Sequence, residues 1–377
     1  MNPRHRLLAH TWEAVYAADF TLDQVRRRGA MIADGLAGRG WVCLVAYDTR
    51  FMGNLFARAL NADLNARGVK SRLAVAPTPL PAIYYALDRK TADCALVVTA
   101  RKRPYYYNGL ALIAPAPGIT LASVGDQAQQ PFAPLIDSAP APTDQPDLRA
   151  DYLEWLRGAV DIDLIRRVSL TIFVDPMNGT TAGVVPALLG EGGQTRAIEI
   201  NREPDPLFGK MTPHPAVSGL TRLKKLVRES DSHLGLAFSA DGTALAVIDK
   251  SGEQLDPTEL ALLLGGYLAR QHRHKGLLVA PAPAAESLLA GIRMAAWEEA
   301  TGVKADLTTD PEARISELLD QERPNLLLGA SADGEVSIGR IAAYPDALLA
   351  GLLVAEMVAR SGGSLRSLID AQRDQLK

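Results

Sequence analysis

The chain has 377 residues, 47% hydrophobic and 22% charged, with 40 Lys and Arg against 43 Asp and Glu for a net charge of −3. That length exceeds one ordinary domain and predicts two to four, and the slightly acidic balance excludes a chain drawn as a whole to nucleic acid or to an anionic membrane. The best apolar run, Ala347 to Ala355, is bracketed by Asp346 and Glu356, so neither a signal peptide nor a membrane span is predicted.

In chain order, a helical pattern from Leu22 to Leu36 precedes a strand from Val42 to Tyr47. A helix from Gly53 to Arg67 follows, then a short strand ending at Pro77-Thr78-Pro79, a helix from Ala82 and a strand from Cys94 to Thr99. Strands separated by helices predict a layered α/β domain. Cys43 and Cys94 both fall in apolar strand patterns, which predicts buried free thiols and a reducing, cytoplasmic location. Residues 114 to 149 are rich in Ala, Pro, Asp and Gln, with Ala139-Pro140-Ala141-Pro142 at their centre, and predict an irregular connection. A helix from Tyr152 to about Arg167 restarts the pattern. It leads to a strand from Val168 to Val174, a helix from Thr181, a strand around Ala197 to Ile200, a helix from Val217 to Arg228 and paired strands on either side of Asp241. From Asp256 onward, strands at Leu277 to Val279, Lys304 to Leu307 and Asn325 to Leu328 alternate with helices. Three α/β domains are therefore expected, at 1–150, 151–255 and 256–377.

Several motifs lie in register along this frame: Trp12 with Ala18-Asp19-Phe20-Thr21, Asp48-Thr49-Arg50, Pro77-Thr78-Pro79, and Thr99-Ala100-Arg101-Lys102-Arg103-Pro104 leading to Tyr107-Asn108-Gly109. Further on come Asp175-Pro176-Met177-Asn178-Gly179 and Arg202-Glu203-Pro204-Asp205-Pro206-Leu207-Phe208. Together they resemble the alpha-D-phosphohexomutase family of phosphoglucomutases and phosphomannomutases. The resemblance implies three successive α/β domains of phosphohexomutase type, with mixed sheets flanked by helices. The chain ends at Lys377 without the family's Arg-Ser-Gly-Thr loop, so the C-terminal fourth domain is expected to be absent.

The family's activity is an intramolecular phosphotransfer, and the positions that should carry it depart from the pattern. The serine that holds the phosphoryl group is Arg101, followed by Lys102 and Arg103, and an arginine can neither accept nor donate a phosphoryl group. The proton-transfer lysine is Ala111, and an arginine expected after Trp12 is Glu13. The three-aspartate magnesium loop reads Ser239, Asp241 and Thr243, so no magnesium cofactor is expected; Asp241-Gly242 reads more simply as a hairpin turn. The sugar-reading loop keeps its turn glycines but carries Ser331 and Asp333 in place of its glutamates, and the upstream Gly-x-Lys element is missing near Asp310 to Ala313. Thr99 offers a hydroxyl near Arg101, in a strand-end position where the backbone ladder should fix it.

This coordinated loss implies a catalytically inactive homologue, a pseudoenzyme acting as an interaction or regulatory protein with itself or an active mutase as partner. One alternative is a non-catalytic module in which Arg50, Arg101, Lys102 and Arg103 bind a phosphorylated sugar or another anion. Another is residual phosphohexomutase activity in carbohydrate metabolism. The basic loop also admits a bland reading, solvated or with Arg101 facing Asp241, and its three tyrosines admit single-stranded nucleic acid only weakly in an acidic chain. The six histidines lack metal-ligand spacing, and His272-Arg273-His274-Lys275 reads as a charged helix end.

Overall fold

A computed structural model describes residues 7–115, 146–190, 192–283, 294–321 and 325–376. Most of the expected Ala/Pro-rich connection, 116–145, lies outside the described residues. The chain divides into two compact units, the first comprising residues 1–152, 178–180 and 204–213 and the second the remainder.

In the first unit the order is β1 (Leu7–Val15), α1 (Leu22–Leu36), β2 (Val42–Tyr47), α2 (Gly53–Ala66), β3 (Lys70–Leu73), α3 (Leu80–Asp88), β4 (Cys94–Val98) and β5 (Tyr107–Pro115). The sheet runs β1-β5-β4-β2-β3, with β4, β2 and β3 parallel and β5 antiparallel to both of its neighbours. Period-2 alternation sends Cys94, Leu96 and Val98 into one core with Phe20 and Leu60, and Ala95 and Val97 into another with Ile83 and Leu87. Burial on both faces is why β4 reads as an unbroken apolar run. Cys43 and Cys94 are buried free thiols on adjacent strands in register.

In this sheet the short strand expected to end at Pro77-Thr78-Pro79 ends at Leu73, and two strands escape the sequence reading. β1 carries His10, Thr11 and Glu13 and is mostly half-buried, so its apolar signal is diluted. β5 opens on Asn108-Gly109, which reads as a turn, yet Gly109 is needed inside the sheet. A Cβ there would sit 2.3 Å from the Thr99 carbonyl oxygen and 2.9 Å from that of Trp12, so only glycine lets the three backbones close.

The second unit begins in α4 (Leu148–Ala159) and continues with α5 (Ile162–Arg167), β6 (Thr171–Asp175), α6 (Val184–Leu189), β7 (Arg196–Glu199), α7 (Pro215–Ser218), α8 (Thr221–Glu229), β8 (Leu234–Phe238) and β9 (Leu245–Asp249). The helix expected over 152–167 breaks where Asp161 caps α5 by accepting from the Leu164 amide. The one expected over 217–228 breaks at Gly219 and Leu220, both at positive φ. There follow α9 (Pro257–Gln271), β10 (Leu277–Pro281), α10 (Met294–Thr301), β11 (Lys304–Thr308), α11 (Pro311–Leu319), β12 (Leu326–Ala330), β13 (Val336–Ser337), α12 (Ala347–Arg360) and α13 (Leu365–Leu376).

Sheets β7-β6-β8-β9 and β11-β10-β12-β13 thus share one unit. α12 is buried from Ala347 to Ala359 and packs against β8, β9, α5 and α9, which makes it a central core helix. Its flanking charges have structural tasks: Asp346 caps the helix through the Leu349 amide, and Glu356 is wholly buried in a polar network. Among the described residues no single helix is long and apolar enough to cross a membrane. The architecture is therefore mixed α/β, three sheets flanked by helices, as the sequence predicts.

Candidate active site

The loop from 99 to 107 is held by a buried guanidinium. Arg50, 3% exposed, donates through Nη1 to the carbonyls of Pro104 (2.9 Å) and Tyr107 (3.0 Å) and through Nη2 to those of Arg101 and Arg103 (2.8 Å each). Its Nε lies 3.3 Å from Asp48 Oδ2, and its charge lies 5.3 Å from the Phe208 ring. Four of the five guanidinium N–H groups thus donate to loop carbonyls, while Nε is paired with Asp48 by charge and not by a hydrogen bond. Arg50 therefore serves the loop's backbone, a departure from the anion cluster in which the sequence grouped it.

Asp48 organises the strand end. Its Oδ1 accepts the Arg50 amide at 2.9 Å, an Asx turn that the Asp-x-Arg spacing encodes, and its Oδ2 accepts the Thr99 hydroxyl at 2.7 Å. Thr99 Oγ1 in turn accepts the Arg101 amide at 3.1 Å. A hydroxyl within hydrogen-bond reach of a carboxylate is the outline of an activated nucleophile. Here the threonine is 1% exposed and the carboxylate is committed to Arg50, so the pair braces the loop.

Arg101 is half-buried at φ +45°, a left-handed conformation unusual for a residue with a side chain. Lys102 and Arg103 are exposed. Arg103 Nε is 2.7 Å from Glu13 Oε2, which raises the pKa of the guanidinium through that hydrogen bond. Glu13 of β1 and Arg103 of the loop before β5, which the sequence reading treats separately, thus form one ion pair. Ala111 lies buried in β5, opposite Thr11 and Val97, and brings no titratable group.

Segments distant in sequence complete the first unit's site: the Thr49 hydroxyl donates to the Asn178 carbonyl at 3.0 Å, and Asp205 accepts the amides of Leu207 (2.9 Å) and Gly209 (2.8 Å) to shape the turn around Phe208.

In the second unit the β8–β9 hairpin turns through 239–244 and is knotted by its own side chains. Asp241 Oδ1 accepts the hydroxyls of Ser239 (2.6 Å) and Thr243 (2.9 Å) and the Thr243 amide (3.1 Å). Ser239 Oγ accepts the amides of Thr243 (3.1 Å) and Ala244 (2.9 Å), and all three side chains are buried. Magnesium requires several hard oxygen ligands in octahedral array. This turn offers one carboxylate, with one oxygen already accepting three hydrogen bonds, so the residues present do not fit the ion. Among the described residues no three His, Cys, Asp or Glu side chains gather as a metal site.

The 329–334 loop docks on the same hairpin. The carbonyl of Gly334, a residue at φ +87°, accepts the Leu245 amide at 2.9 Å, and a Cβ there would meet the Leu245 carbonyl at 2.5 Å. Ser331 Oγ accepts the Glu335 amide at 3.1 Å, and Asp333 is half-buried in the turn. Glu335, which the sequence reading passed over, brings Oε1 to 3.5 Å from the Thr243 hydroxyl. Asp310, at the missing Gly-x-Lys element, caps α11 through the Ala313 amide.

Sequence models of two domains match this chain: phosphoglucomutase/phosphomannomutase alpha/beta/alpha domain I over residues 11–127 and domain II over 150–252. The chain belongs to the alpha-D-phosphohexomutase family. The phosphoglucosamine mutase of Chromohalobacter salexigens is 28% identical over 368 residues, covering 95% of this chain and 77% of the relative. That of Teredinibacter turnerae is 31% identical over 252 residues, 66% of this chain and 54% of the relative. A Thermus thermophilus structure assigned as a phosphomannomutase superposes with a TM-score of 0.81 at 23% identity, covering all of this chain and 85% of that one. At that identity the likeness speaks to the fold.

Proposed function

We propose that this chain is a phosphohexomutase-fold pseudoenzyme, without mutase turnover, that acts through interaction with a partner protein, either a second copy or an active mutase, in the cytoplasm. The observation that carries this reading is mutual satisfaction: the carboxylate of the metal loop is bound by Ser239 and Thr243, and the nucleophile position is Arg101. Phosphoryl transfer needs a nucleophile and a cation that offsets charge in the transition state; the first is gone, and the residues for the second do not fit it.

The test offers the purified chain glucosamine 6-phosphate, suggested by the names of its relatives, and separately glucose 1-phosphate, each with magnesium and the matching hexose bisphosphate. Phosphorus NMR should show no isomer beyond a heat-denatured control, and sustained turnover would refute the reading. Light scattering, alone and with an active mutase, then reads the partner.

A second reading, a receptor for a sugar phosphate, is favoured by one observation: Lys102 and Arg103 are exposed beside Tyr105, Tyr106 and Tyr107. A thermal shift with sugar phosphates that disappears in Lys102→Ala would support it.

A further inference from the structure

A second site candidate lies in the second unit, in a pocket of about 270 Å³ walled by α9, α10, α12 and α13. We propose that it binds a small organic monoanion with an apolar body, an aryl or branched-chain carboxylate. Its apolar lining includes Leu263, Trp297, Met357 and Leu368, and its charged lining is two arginines, Arg270 and Arg360, with no carboxylate. A dry cavity of about 150 Å³ suffices for benzene, so the volume accommodates a ring or branched chain together with a carboxylate.

The charge of the ligand follows from how the arginines are compensated. Arg360 is backed by the fold: Nη2 lies 2.8 Å from Asp161 Oδ2, and Nε lies 3.1 Å from the Tyr267 hydroxyl and 3.4 Å from Glu356 Oε1. Its orientation is thereby fixed, and its charge is answered from behind. Arg270 makes no ion pair or hydrogen bond among the described residues. It folds back over its own helix at Gly266, where a Cβ would come within 3.2 Å of Nη1 and 3.4 Å of Nη2. The pocket therefore has at its rim one exposed guanidinium, Arg270, with no carboxylate partner among the described residues, beside an apolar lining. That matches a monoanion with an apolar body better than a dianionic phosphate, whose second charge has no free cation here and which would leave the apolar lining uncovered.

Trp297, 1% exposed, lines the pocket and supplies a reporter. The experiment titrates the full chain with benzoate, phenylacetate and 4-methylpentanoate, with benzamide as the neutral counterpart and inorganic phosphate as the small-anion control, at constant ionic strength. Tryptophan fluorescence and thermal shift are read together. The carboxylates should give a saturable response that is absent in Trp297→Phe by fluorescence but retained by thermal shift. Arg270→Ala should weaken binding about tenfold, and Ala371→Trp, on the exposed face of α13, should abolish it by filling the pocket. Three results overturn the inference: no saturable response to any carboxylate in a folded protein, benzamide or phosphate binding as tightly as benzoate, or carboxylate binding unchanged in both Arg270→Ala and Ala371→Trp. None of these depends on whether the chain is a mutase.

Discussion

Replacing Arg50 with alanine removes the group on which the whole 101–107 loop is hung. The wild-type guanidinium makes four hydrogen bonds of 2.8–3.0 Å to loop carbonyls and lies 3.3 Å from Asp48. Hydrogen bonds to a charged group contribute about 1.5–3 kcal/mol each, but four made by one rigid fork are not independent, and carbonyls of an exposed loop regain water when the donor leaves. Breaking a buried pair by removing one partner costs about 3–5 kcal/mol, and Asp48, 4% exposed, would remain with only Thr99 and a backbone amide among the partners named above. The expected loss for Arg50→Ala is therefore about 4 kcal/mol. Arg50→Lys keeps the charge, yet one ammonium cannot span acceptors on four residues, so about half of that loss is expected. Urea denaturation gives the stability, and amide hydrogen exchange at Arg103 and Tyr107, whose N–H groups bond to Ala100 and Pro104, gives the loop's own order. Arg103→Ala, which breaks only the exposed pair with Glu13, serves as the control at under about 1 kcal/mol. If Arg50→Ala cost less than that control and left the exchange unchanged, the reading of Arg50 as the loop's anchor would be wrong.

Four other expectations rest on single features. Glu356 is wholly buried; burial opposes its ionisation but is outweighed by hydrogen bonds from His272, Tyr267 and the Asp161 amide, and its pKa falls from 4.5 to about 2. Since the folded pKa is depressed, its contribution is complete above pH 4.5 and is lost as pH falls toward 2. At 1.36 kcal/mol per unit that is roughly 3 kcal/mol, and acid denaturation of Glu356→Gln should lack this pH-dependent portion. Asp63→Ala removes the carboxylate that holds Arg26 by bonds of 2.8 and 2.6 Å between α1 and α2, and should cost about 3 kcal/mol in urea denaturation. Gly109→Ala drives a Cβ into two backbone carbonyls and should leave the chain insoluble or more than about 3 kcal/mol less stable, as size exclusion and denaturation would reveal. Ser239→Ala removes one of the hydroxyls on buried Asp241 and should cost about 1–3 kcal/mol, with magnesium shifting the melting of neither protein; a magnesium-dependent shift in the wild type would contradict the fit of the loop.

The parts of this molecule legible in the sequence are those whose causes are local. Val42–Tyr47 shows as an unbroken apolar run and Leu22–Leu36 by its helical period, the latter capped by Thr21 accepting the Gln24 amide. The Asp-x-Arg turn at Asp48 likewise follows from Asx chemistry over two residues. What escaped depends on partners far along the chain. β5 looks like a turn because Asn108-Gly109 is one in isolation, and only the approach of Thr99 and Trp12 makes that glycine a strand residue. Nothing in the local pattern around Arg50 announces that its acceptors lie more than fifty residues on. The run His272 to Lys275 reads as a charged helix end, which it is, but its local pattern does not announce that His272 Nε2 reaches Glu356 at 3.1 Å.

A site that binds charged ligands keeps donors and acceptors poised for them, and the cost of leaving those groups partly unsatisfied is borne by the rest of the fold. The loops of this chain are arranged the other way. Where a carboxylate cluster would need a cation, one aspartate remains and two hydroxyls bind it; where an arginine would stand after Trp12, a glutamate stands and meets Arg103. Removing one partner costs about 1–3 kcal/mol at buried Asp241 and under about 1 kcal/mol at the exposed Glu13–Arg103 pair. Present together, the partners satisfy each other without any ligand. In the hairpin the three side chains are therefore best understood together, as one solution to the constraint that buried polar groups must be paired. The turns at 99–107 and 239–244 hold these side chains where they bond to each other.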